Sequence, residues 1–166
     1  VNEIPDAKGW IAGPEDEDKE YAAECRSLVT SLGLEKNVEF LGFQKIDELL
    51  PKVGVVVLSS ISEALPLVLL EGFAAGVPAV STDVGSCRQL IEGLDEDDRA
   101  FGTAGSVVGI ADPEALGKAV ANLLSNPQAW HEAQQAGIRR VETLYTQQQM
   151  FGSYRELYQG LLEGER

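Results

Sequence analysis

Two apolar runs, one directly after the other, set the pattern of this chain. Residues 54–59 carry Val55-Val56-Val57-Leu58 without a break, as a strand buried on both faces of a parallel sheet does. Soon after, Leu67-Val68-Leu69-Leu70 and Phe73-Ala74-Ala75 enclose a single charge, Glu71. This stretch has no polar face, which predicts a helix buried all round. Pro66 suits its first helical position, where the missing N–H is no loss, and Gly76 suits its C-terminal cap.

Shorter runs, punctuated by Gly, Pro, Asp and Asn, predict the remaining elements. Strands are expected at 8–12, 38–41, 77–81 and 106–110, and helices at 18–32 (capped by Gly33), 46–50 and 86–92. Residues 113–124, 127–144 and 146–162 predict a helical C-terminal region, in which Asp112-Pro113 and Asn126-Pro127 are helix starts. Strands alternating with helices imply a parallel α/β sheet with right-handed crossovers. No repeat, low-complexity tract or linker interrupts the chain, so residues 1–166 are expected to form one domain. The charge-rich stretches 15–20 and 92–99 read as solvated surface.

In open α/β sheets ligands sit beyond the carboxyl ends of the strands. That rule gathers residues 13–14, 42–44, 59–67 and 83–86 on one rim. Glu63 lies just before the apolar helix and Glu71 inside it. A buried carboxylate is costly unless hydrogen-bonded or paired. An ionised Glu accepts two bonds at once, and a sugar or a ribose offers vicinal hydroxyl pairs that supply them. The free amides of Leu67 and Val68, at the positive end of the helix dipole, suit an anion. The competing reading makes Glu63 a helix cap and pairs Glu71 with an interior Arg.

Glu-x7-Glu, then Gly72-Phe73-Ala74-Ala75-Gly76-Val77-Pro78, a strand and Thr82-Asp83-Val84-Gly85, resembles the donor-domain signature of retaining family-4 glycosyltransferases of GT-B type. Gly13-Pro14-Glu15-Asp16, Leu41-Gly42-Phe43, Ser60-Ile61-Ser62-Glu63-Ala64-Leu65-Pro66 and Ser86-Cys87-Arg88 resemble the branch that serves bacterial Pel exopolysaccharide synthesis, and 96–100 and 110–113 fit it too. The resemblance runs over nearly the whole chain. It implies a Rossmann-like parallel sheet with flanking helices, the C-terminal, donor-binding half of a two-domain enzyme with a helical tail.

The resemblance further implies a hexosyltransferase using a UDP-sugar, UDP-glucose in the Pel branch, and a polysaccharide acceptor, in the cytoplasm. Glu63 would be the catalytic residue, accepting from the transferred sugar. Glu71 would accept from the ribose, and Phe43 and Gln44 would lie by the base. Leu65, Leu67, Val68, Gly13, Ser62 and Gly85 would complete the donor site. No cofactor and no metal is implied. Further implied partners are an N-terminal acceptor domain and an inner-membrane synthase complex. The family's donor half opens with a strand and loop whose Arg and Lys clamp the diphosphate, and no counterpart precedes Val1. The chain is therefore expected to be inactive alone, with a disturbed strand order or a homodimer that completes the sheet.

Composition narrows the field. The 166 residues are 44% hydrophobic and carry 13 basic and 27 acidic side chains, a net charge of -14. This argues against nucleic acid and anionic lipid as partners, and it also opposes an anionic donor. Cys25 and Cys87 lack metal-ligand spacing and read as small hydrophobes in a reducing cytosol. No apolar run is long enough to cross a bilayer. His131 is the sole histidine, expected at the surface or in packing. Lys45 and Arg88 are candidate phosphate contacts or balances for the acidic surface. No Gly-x-Gly-x-x-Gly, Walker or zinc pattern occurs, and Ser59, Ser60 and Ser62 lack a nucleophile-elbow setting. Two other classes stay open, a GT-B-type sugar-nucleotide epimerase and a non-catalytic interaction domain on the same fold.

Overall fold

The computed structural model describes residues 4–164. They divide into two compact units at Lys52 and Val53. The strands form two parallel sheets, β1-β2 in the first unit and β3-β4-β5 in the second, where a single sheet was expected.

In the first unit, β1 (Gly9–Ala12) pairs in parallel with β2 (Val38–Gly42) through α1 (Lys19–Ser31). Asp18 caps α1 by accepting from the Tyr21 amide, and Gly33 ends it with a φ of 66°. Helix α2 (Ile46–Leu49) runs into a 3-10 turn at Leu50–Lys52. The acidic 15–20 stretch is solvated as expected, with Glu15 held by Arg26 at 2.6 Å.

In the second unit, β4 (Ala79–Thr82) lies between β3 (Val56–Leu58) and β5 (Gly105–Val108), and every residue of β4 is buried. Helices α3 (Leu67–Ala74), α4 (Cys87–Glu92) and α6 (Pro113–Ser125) pack on this sheet, and α7 (Pro127–Leu144) packs on α3 and α6. The short α5 (Glu96–Arg99) precedes β5, and α8 (Gln147–Gly164) ends the described chain. Val80, Leu123 and Ala133 are the buried centre, walled by Val55, Leu116, Val120 and Trp130. Asp112 and Asn126 cap α6 and α7 as their Asp-Pro and Asn-Pro pairs predict.

Two burial expectations fail. Helix α3 is not buried all round: Leu69, Gly72 and Phe73 face inward, while Leu67, Glu71 and Ala74 are exposed. It meets the sheet and α7 along one side only, so an apolar sequence coats an outward side as well. Strand β3 is an edge of its sheet, and Val57 is 46% exposed rather than buried on both faces. Pro66 is the N-cap of α3 rather than its first helical residue. At the other end Gly76, with a φ of 73°, closes a Schellman turn in which its N–H bonds Phe73 O and that of Val77 bonds Gly72 O.

The 92–99 stretch is not all solvated surface, because Asp98 is 2% exposed and Arg140 of α7 is fully buried against it. Arg140 Nε donates to Asp98 Oδ1 at 2.5 Å. Its remaining N–H groups donate to the carbonyls of Leu90, Ile91, Asp98 and Gly102. The second Asp98 oxygen accepts from the Leu94 amide at 2.8 Å. Among the described residues no buried side-chain polar atom lacks a partner.

Replacing Arg140 by Met leaves a buried carboxylate without its counter-charge, which is expected to destabilise the protein by about 3–5 kcal/mol. Chemical denaturation measures this as a lowered midpoint. Adding Asp98→Asn to Arg140→Met should recover part of the loss, since an amide is cheaper to bury than an uncompensated charge.

Candidate functional site

Each unit brings part of the expected site to the carboxyl ends of its own strands. In the first, the Gly13 amide donates to Gly42 O at 2.9 Å, so the loops after β1 and β2 start side by side. Gly13 and Gly42 have φ angles of 155° and 63°, and the latter needs glycine. Phe43 follows and is 81% exposed, so it is not a core aromatic. Gln44 donates to Leu41 O at 2.7 Å, and Lys45 is engaged with Glu48 at 3.1 Å.

The second unit holds Ser62, Glu63, Leu65, Leu67, Val68, Glu71 and Gly85. The chain leaves β3, passes Ser60 and Glu63, and enters α3 with Pro66 as a cap lacking any side-chain hydrogen bond. The N–H groups of Leu67 and Val68 find no acceptor among the described residues, and Leu69 N–H bonds Pro66 O at 3.2 Å. Leu65 and Leu67 are exposed on this approach, as is Ser62, while Val68 is half-buried. The segment therefore offers free amides beside two carboxylates.

Those carboxylates differ in setting. Glu63 is half-buried and accepts from Ser60 Oγ at 2.6 Å. Glu71 is exposed, and among the described residues its carboxylate has no hydrogen bond or ion pair. Glu71 therefore carries no cost of burial, and it is not paired with an interior Arg as the competing reading had it. The interior Arg is Arg140, and Asp98 takes it. Glu71 stays a candidate on a different ground, as an unengaged acceptor one helical turn from Leu67. The capping reading of Glu63 also fails, because no side chain caps α3.

The loop after β4 closes on the Glu63 segment. Gly85 has a φ of 51°, and a Cβ there would lie 2.3 Å from Glu63 O and 2.7 Å from Ala64 O. Ser86 N–H donates to Ala64 O at 2.9 Å. Gly85 therefore serves as the point where two backbones touch. Arg88, a candidate phosphate contact, is taken by Asp83 at 2.7 Å and by Glu92 at 2.7 Å. Its hydrogen bonds to Asp83 and then Glu92 make it more basic than usual.

His131 is exposed and Cys87 buried, as expected, whereas Cys25 is only partly covered. Trp130 beside His131 donates from Nε1 to Gly54 O at 2.6 Å. Among the described residues no group of three or more His, Cys, Asp or Glu side chains could share a metal ion. No helix there is long and apolar enough to cross a membrane. The sequence reading gives Ser60 and Thr82 no site role, although both stand within the motifs that carry the resemblance, where nothing separates Ser60 from Ser59 and Ser62.

Residues 1–140 match the model of the family described as glycosyl transferases group 1. The chain is 38% identical over 128 residues to an exopolysaccharide phosphotransferase of Streptomyces coelicolor, covering 74% of this chain and 12% of that protein. Among solved structures it is similar to a sucrose-phosphate synthase of Thermosynechococcus elongatus (TM-score 0.82, 23% identity, covering 97% of this chain and 40% of that one). It is also similar to HepE of Anabaena in complex with UDP and glucose (TM-score 0.76, 21% identity, 92% of this chain and 41% of that one). The folds agree in having Rossmann-like parallel sheets with flanking helices, and the chain spans about two fifths of each solved chain.

Adding a methyl group at Gly85 should part the two loops. Gly85→Ala is expected to speed exchange of the Ser86 amide by ~10-fold or more, for a strain above about 1.4 kcal/mol. The amide of Val80, in the middle strand, should keep its protection in the same hydrogen-exchange experiment.

Proposed function

The chain belongs to the glycosyl transferases group 1 family, and from that premise we propose that it is the donor-binding part of a retaining hexosyltransferase acting in exopolysaccharide synthesis. The donor is a UDP-sugar, UDP-glucose in the reading made from the Pel-branch motifs, and the acceptor is a growing polysaccharide. The observation that carries this reading is the segment from Glu63 to Glu71, where two carboxylates with spare acceptor capacity flank the uncapped amides of α3. HepE, of the same fold, was crystallised with UDP and glucose, which supports a nucleotide-sugar ligand. The phosphotransferase relative shares only 12% of its length with this chain and lends it no reaction.

In this reading the two carboxylates divide the donor between them. Glu63 accepts from hydroxyls of the transferred sugar and orients its anomeric carbon, and Glu71 accepts from the ribose. The amides of Leu67 and Val68 meet the diphosphate, whose charge grows as it leaves, and fixed dipoles stabilise that charge without reorganising. Displacement occurs on the face from which the diphosphate departs, so the configuration is retained. Arg88 is already shared by Asp83 and Glu92, so it adds little to phosphate binding. No metal is used, and the reaction takes place in the cytoplasm, where an acceptor domain and a membrane synthase complex supply and receive the polymer.

The carboxylates are separable by experiment in the whole protein. Glu63→Gln should lower turnover of UDP-glucose by ~10- to 100-fold, the value of about 1.5–3 kcal/mol for a hydrogen bond to a charged group, and leave UDP affinity nearly intact. Glu71→Gln should weaken UDP binding by ~10-fold before it affects turnover. Equal effects of the two changes on both quantities would remove the division of roles. Absence of UDP binding by the unaltered protein at millimolar nucleotide would remove the donor reading itself.

A further inference from the structure

Ser60 Oγ donates to Glu63 Oε1 at 2.6 Å, the single side-chain hydrogen bond that the Glu63 carboxylate has among the described residues. Ser60 is itself anchored. Thr82, at the buried end of β4, donates from Oγ1 to Ser60 O at 2.5 Å and reaches Leu58 O at 3.4 Å. The last residue of the middle strand thus grips the chain where it leaves β3, and the gripped residue holds the carboxylate. Ser59 and Ser62, its neighbours of the same type, are exposed and make no such contact.

We propose that Ser60 is a positioning residue for Glu63, fixing one carboxylate oxygen so that the other is presented to the hydroxyls of the transferred sugar. The proposal rests on the donor reading above and adds a specific residue to it. A free Glu has three side-chain torsions, and holding it in one arrangement costs rotamer entropy each time a ligand binds. A hydroxyl already bonded to Oε1 meets that cost in the folded protein. It also takes up part of the acceptor capacity of Oε1, so Oε2 is the oxygen left with both acceptor sites free. Misplacing a positioning group by about 1 Å reduces rate by up to ~100-fold in enzymes generally. Thr82 matters one step further away, by fixing the backbone from which Ser60 reaches.

The test uses the full-length protein, with turnover read as UDP release from UDP-glucose to water and affinity read by UDP titration. Ser60→Ala should lower kcat by ~10-fold while UDP affinity stays within twofold, and Ser60→Thr, which keeps the hydroxyl, should restore most of it. In a Glu63→Gln background Ser60→Ala should have little further effect, because its role runs through that carboxylate. An equal loss in both backgrounds, or a loss of UDP affinity matching the loss of kcat, would overturn the proposal in favour of a merely structural serine. Thr82→Val, which keeps the shape of the strand end, provides a second probe and should lower kcat in the same direction. No change in kcat from either Ser60→Ala or Thr82→Val would also overturn it. If the unaltered protein does not bind UDP, the donor reading fails, and if Glu63→Gln leaves turnover unchanged, the role given to Glu63 fails with the positioning of it. If only the Ser60 and Thr82 variants are silent, that reading stands and the positioning role alone is lost.

Discussion

The buried ion pair of Arg140 with Asp98 is the constraint on which the second unit depends. Arg140 comes from α7 and Asp98 from α5, yet the guanidinium also donates to the carbonyls of Leu90 and Ile91 at the end of α4 and to Gly102 just before β5. Burying two charges is unfavourable unless the remaining donors and acceptors are satisfied, and here each has a partner. The pair gains its meaning from what it ties together. Three helices and the entry to β5 share one guanidinium, so none can shift without breaking a buried bond.

The effect reaches the candidate site through α4. Its C-terminal carbonyls are held by Arg140, and its N-terminal side begins at Ser86, whose amide bonds Ala64 O. Gly85 lets that backbone approach closer than any side chain would allow. On the opposite flank Thr82 grips the Ser60 carbonyl, and Ser60 holds Glu63. The Glu63 segment is therefore a loop pinned before and after Glu63 by the stretch that leads from β4 into α4, as suits a group proposed to orient a ligand. Glu71, by contrast, is carried on the exposed side of α3, where among the described residues no hydrogen bond or ion pair holds it, which agrees with the affinity role proposed for it.

Electrostatics sharpen the picture. A chain with a net charge of -14 repels an anion at long range. Arg88 does not relieve this, since Asp83 and Glu92 already surround it. What this unit offers a diphosphate is dipolar, the uncapped start of α3, and dipoles act only at short range. In the proposed donor reading, hydroxyl contacts to Glu63 and Glu71 hold the anion beside those amides, which gives the two carboxylates a purpose despite their sign.

Much of the fold could be read from residues close together in the chain. Asp18, Asp112 and Asn126 each cap the helix that starts beside them, and Gly33 and Gly76 end helices in left-handed turns, because these preferences act within four or five residues. The Glu63 to Glu71 spacing was legible for the same reason. Burial was not. Nothing local distinguishes the inward Leu69 from the outward Leu67, or tells that Val57 lies on a sheet edge, because coverage is decided by elements distant in sequence. Asp98 looked like one more surface acid until α7 brought Arg140 to it from 42 positions away. Likewise only the end of β4 selects Ser60 among three nearby serines. Neighbours in the chain set the elements, most of their ends and the residue types at the rim. Which of them are buried, paired or free follows from contacts between distant segments, since those states are not properties of neighbours in the chain.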